Sequence, residues 1–179
     1  MKTDAPIRAQ RERTDLLETL AKHRGFLRQT VRDMTEEQAG QHSTVSALCL
    51  GGLIKHVADV ESSWVDFILD GPAAMASAGD DWSAESSAGS WEARFQMSPG
   101  ETLPGLLEHY QAVATRTDGV VVSLPDLDAD HPLPEAPWFE QGGRWSARRV
   151  LLHIIAETAQ HAGHADIIRE SIDGSKTMG

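Results

Sequence analysis

The sequence predicts an all-α protein, a four-helix bundle with long crossover connections, and three observations carry that prediction. Four stretches repeat apolar residues at the three- to four-residue spacing of an amphipathic helix. Two of the connections between them, 71–100 and 125–145, are too long to be simple turns. The last stretch, Leu151 to Glu170, is apolar on nearly all sides, as expected of a helix enclosed by others. At 179 residues the chain reads as one domain over 1–179 with a normal core.

The first helix is expected over about 14–34, capped by Thr14 or Asp15 and carrying Leu16, Leu17, Leu20, Phe26, Leu27 and Val31. Thr35 to Gly40 reads as a turn or short helical step. The second helix is expected over 43–70, with Ser43 or Ser46 as cap and Gly71-Pro72 as stop. Cys49, Leu53, Val57, Val60, Trp64 and Phe67 share one side of it with His56. Gly51 and Gly52 are costly inside a helix, by up to about 1 kcal/mol each relative to Ala. Close approach of another backbone or of a ligand would explain them.

Residues 71–100 turn to Ala, Ser, Gly and Asp around Trp82, Trp91 and Phe95, with a short helix expected from Trp91. A third helix is expected over 100–123, although its Val120-Val121-Val122 end also suits extended backbone. The Pro-rich 125–145 stretch reads as a loop or short hairpin leading to Ser146, the cap of a fourth helix over 146–172.

A net charge of -11 with no dense basic run argues against nucleic acid as a partner. Cys49 is the only cysteine, so neither an internal disulfide nor a thiolate-rich metal site is available, and a reducing cytoplasm is the expected compartment. Cys49 itself reads as a small buried hydrophobe. The five tryptophans read as core and loop anchors. No apolar run approaches membrane-spanning length.

The chemistry concentrates on the last helix. His153, Glu157 and His161 recur every fourth residue and His164 follows, so that all four occupy a stripe roughly 80° wide. Imidazoles and a carboxylate enclosed in a bundle need one another, hydrogen bonds or a cation to offset desolvation, and a divalent metal meets that need. A hydrogen-bonded polar network or a solvated face is the plain alternative, and spacing alone does not select ligands. His56, taken singly, would be a hydrogen-bonded core histidine.

At these residues the chain resembles the DinB/YfiT-like superfamily of metal-binding four-helix bundles, and within it the uncharacterised mini-circle-type subgroup. The resemblance is carried by Leu48 to Glu61 around His56, by Trp145 to His153, and by Glu157-x-x-x-His161-x-x-His164, and it spans nearly the whole chain. It implies that a histidine of the second helix and a pair from the last hold a divalent metal. The pair is commonly two histidines; here Glu157 replaces the first, as in the related mycothiol-dependent maleylpyruvate isomerases, which bind zinc. By resemblance, then, the ligands are His56, Glu157 and His161, while His153 and His164 are the candidate catalytic or supporting groups. Zinc is the first choice, with nickel, iron and manganese as alternatives.

The function expected is that of a metal-dependent thiol S-transferase, isomerase or hydrolase, in which the ion activates a low-molecular-weight thiol or water for attack on a small electrophilic substrate. A non-catalytic stress-response or binding module and a purely structural metal bundle are the alternatives. The site is expected in a cleft at one end of the bundle, roofed by parts of 71–100 and 125–145. The protein is expected to be a homodimer, and loss of the ion to raise the pKa of Glu157.

Overall fold

The computed structural model describes residues 4–77 and 92–177. Those residues form six helices and a two-stranded hairpin: α1 (Asp4–Gln29), α2 (Glu36–Gly40), α3 (Leu50–Asp70), α4 (Pro72–Ser77), α5 (Leu103–Ser123), β1 (Asp130–Pro132), β2 (Arg144–Ser146) and α6 (Ala147–Asp173). The four long helices make an all-α bundle. α6 packs between α1 and α3, and α5 closes the ring between α3 and α1.

Two apolar layers give the directions. One joins Leu27 of α1 and Val31 just beyond its end, Leu50 to Ala58 of α3, Leu103 to Tyr110 of α5 and Ala162 to Ile168 of α6. The other joins Leu16 and Leu20, Trp64 to Ile68, Val121 and Val150 to Ile154. α1 and α6 therefore run one way, and α3 and α5 the other. Parallel neighbours such as α3 and α5 cannot be joined by a tight turn, which accounts for the long connection between them.

Helix ends differ from expectation where polar residues set them. α1 begins at Asp4, ten residues before Thr14, because its early turns dock through charge: Arg13 donates to the carbonyls of Val121 and Leu124 at the end of α5, and Glu12 pairs with Arg148 of α6. Arg13 thus supplies partners for carbonyls that a helix end leaves open. α1 stops at Gln29, and Arg169 of α6 covers the carbonyls of Thr30 and Arg32 just beyond. Thr35 and Gln38 form a capping box on α2. α3 starts at Leu50, since the Cys49 sulfur, rather than Ser43 or Ser46, accepts from Gly52 N–H. Val120 to Val122 are helical. Ser146 caps α6 as expected, and Gly174 closes it with φ near 78°.

The second connection, expected as a loop or short hairpin, folds as a hairpin, with His131 opposite Trp145. Trp82, Trp91 and the start of the short helix expected at Trp91 lie outside the described residues. No helix among the described residues is long and apolar enough to cross a membrane.

Candidate metal centre

α3 and α6 run antiparallel, so residues advancing along one meet residues receding along the other. His56, on the second turn of α3, reaches the level of Glu157 and His161 in mid-α6, and one ligand-type atom from each lies within 4.8 Å of the others. The His56 and His161 rings meet edge to face with centroids 4.8 Å apart. Glu157 Oε2 is 3.5 Å from His161 Nε2. The cluster thus sits partway along the α3/α6 groove. It is not at one end of the bundle: His56, Glu157 and His161 all lie inside α3 and α6 rather than at their termini.

Both histidines are buried and Glu157 is half-buried. Burial, followed by the neighbouring His161, pushes the pKa of His56 down to about 4, leaving an uncharged imidazole with a lone pair to give. Glu157 departs from expectation. The hydrogen bond with His161 holds its carboxyl below the ordinary range and outweighs a desolvation that is only partial. Two imidazoles and an ionised carboxylate, converging from two helices, suit a divalent cation in composition and spacing. These three residues can hold a metal ion.

The roof comes from the first long connection. Phe95 lies over His56 at a centroid distance of 4.2 Å and reaches His161 at 5.9 Å. A Cβ on Gly52 would fall 1.8 Å from the Phe95 carbonyl oxygen, and one on Gly51 would fall 2.3 Å from the Met97 sulfur. Gly52 therefore admits a crossing backbone, one of the two explanations open from sequence, and Gly51 admits the Met97 side chain. Lys55 pins this crossing through Ser98 and Glu101. Phe95 is the site neighbour that sequence reasoning missed; Gly51-Gly52 signalled an approach without naming what approaches.

His153 and His164 flank the cluster on opposite sides. His153 Nε2 is 3.9 Å from Glu157 Oε1, and its ring stands edge-on to Trp64 and Trp145, 5.0 and 5.1 Å away. Those two indoles stack at 4.9 Å, so the hairpin register that places Trp145 also builds the wall beside His153. Burial pushes His153 down as well, although Glu157 opposes it. His164 Nδ1 lies 3.4 Å from His161 Nδ1. Cys49 is buried as expected, and its thiol also points to the Phe95 carbonyl at 3.6 Å.

The family model described as Mycothiol-S-transferase matches residues 15–174, a span that holds the whole cluster and both flanking histidines. No curated protein and no solved structure matches the chain.

Proposed function

Because the chain belongs to the mycothiol S-transferase family, a DinB-like family, we propose that it transfers a low-molecular-weight thiol to a small electrophile at the α3/α6 groove. One divalent ion, zinc by first choice, is held there by His56, Glu157 and His161. The observation that carries this reading is the convergence of two buried imidazoles and a carboxylate from two different helices.

When bound, such an ion supplies a lowered pKa to a coordinated thiol or water, generating a nucleophile near neutral pH. The chain's own residues do the rest. Phe95 covers His56 and limits water on that side. His153, whose pKa burial lowers and whose ring stands edge-on to two stacked indoles, takes a proton at Nε2 and passes it outward. The Trp145 wall gives an apolar flank for the electrophile.

Wild type purified without a metal-affinity step should carry about one zinc per chain and should consume thiol in the presence of an electrophilic acceptor. A His56→Ala/His161→Ala double variant should do neither while keeping its helical spectrum. Wild type that binds no divalent ion would end the reading; metal binding without any thiol or water chemistry would favour the structural or binding role instead. We also propose a homodimer: light scattering at micromolar concentration should give twice the 19.5 kDa chain mass, and a monomer alone would refute it.

A further inference from the structure

His161 has two ring nitrogens, and each faces a different neighbour. Nε2 looks towards Glu157 Oε2 at 3.5 Å, on the side where the carboxylate joins the cluster. Nδ1 looks towards Nδ1 of His164, less than one turn further along α6, at 3.4 Å. A neutral imidazole carries one N–H and one lone pair. If Nε2 gives its lone pair to a cation, Nδ1 must carry the hydrogen, and a buried N–H needs an acceptor.

We propose that His164 is that acceptor, and therefore a positioning residue for His161 rather than a proton carrier for substrate. The inference rests on His161 being a ligand, as proposed above. His164 then keeps its own hydrogen on Nε2 and offers the Nδ1 lone pair to His161 Nδ1–H. The bond fixes both the tautomer and the ring plane of His161, and it makes the ligand nitrogen more basic. His153 has no equivalent position: its contacts are aromatic edges and a carboxylate oxygen 3.9 Å away, neither of which orients a ligand ring. The two flanking histidines thereby separate in role, His164 serving the ligand and His153 facing the groove.

Side-chain geometry supplies the test. The Oδ1 of asparagine sits close to where histidine carries Nδ1, so His164→Asn keeps an acceptor at the right place, whereas His164→Ala removes it. Zinc affinity, measured by competition with a chromophoric chelator, should fall about 10- to 100-fold in His164→Ala, the usual effect of losing a partner behind a metal ligand. It should stay close to wild type in His164→Asn. The absorption spectrum of the cobalt-loaded protein should shift in the alanine variant and not in the asparagine variant, a readout that a merely structural role would leave unmoved. Circular dichroism confirms that each variant is folded.

Zinc binding in His164→Ala equal to wild type would overturn the inference, and so would equal losses in the alanine and asparagine variants. His161→Ala is the separate control. If it binds zinc as wild type does, the ligand assignment itself fails, whatever His164 does.

Discussion

Gly52 is where helix and roof touch, and the contact is backbone against Cα. A methyl group there has no soft neighbour to displace: the nearest atoms are the oxygen and carbon of Phe95 and the nitrogen of Gln96, all main chain. Gly52→Ala should therefore destabilise by about 1–3 kcal/mol, the usual cost of overfilling a packed site, even though alanine is the better helix former. Gly163→Ala, in α6 with nothing within 4 Å of the added carbon, should instead stabilise by up to about 1 kcal/mol. Urea denaturation of the two variants checks the opposite signs, and stabilisation by Gly52→Ala would show that the crossing does not rest on α3. Among single residues, the sequence made the metal-capable stripe legible, because helical spacing alone puts His153, Glu157, His161 and His164 on one face. Phe95 was not legible. It reaches His56 through a crossing whose path depends on tertiary packing, and no local pattern records that.

Between elements, the contact that fixes one helix against another is polar and buried. Arg24 of α1 donates from Nε and Nη2 to the two oxygens of Glu61 on α3, a bidentate bond across the ring of helices. Thr117 of α5 donates to the same carboxylate, and Asp118 takes the remaining arm of Arg24. Arg24 and Glu61 are 4% and 0% exposed, so neither can turn to water if its partner is lost. Burial opposes the charge on Arg24, but the bonds to Glu61 and Asp118 outweigh it and raise the pKa of the guanidinium. Arg24→Met alone should cost about 3–5 kcal/mol, and Arg24→Met/Glu61→Leu should recover much of that loss, since an apolar pair leaves no buried charge behind. Unfolding curves for the two variants decide, and a double variant no more stable than the single one would refute the account. Element boundaries divide along the same physical line. Ser146 and Gly174 bound α6 almost where the sequence places them, because cap chemistry is local. The start of α1 escaped, because Arg13, Glu12 and Arg148 stabilise it through partners more than a hundred residues away.

At the level of the molecule, the apolar layers are expected to hold the bundle without help from an ion. Each large aliphatic side chain taken out of water contributes about 1.5–3 kcal/mol, and the two layers contain many of them. Chelation should leave the helical circular dichroism signal largely intact. The midpoint of thermal unfolding should nevertheless fall, since a ligand that binds only the folded state stabilises it by about 2.7 kcal/mol when present at a hundred times its Kd. Collapse of the helical signal on chelation would overturn this and favour a structural ion. All four long helices were legible from periodicity, and the hairpin was one of two readings open for its stretch, whereas the order in which the helices surround the core was not legible, because ring order depends on which layers fit together. That order has a consequence for synthesis. His56 is made early, the roof next, and Glu157 and His161 only about a hundred residues after His56. A growing chain therefore carries one imidazole of the cluster through most of its translation, and closure waits for α6 to enter between α1 and α3. Because contacts so distant along the chain form late and slowly, metal capture reports the completed fold rather than nucleating it.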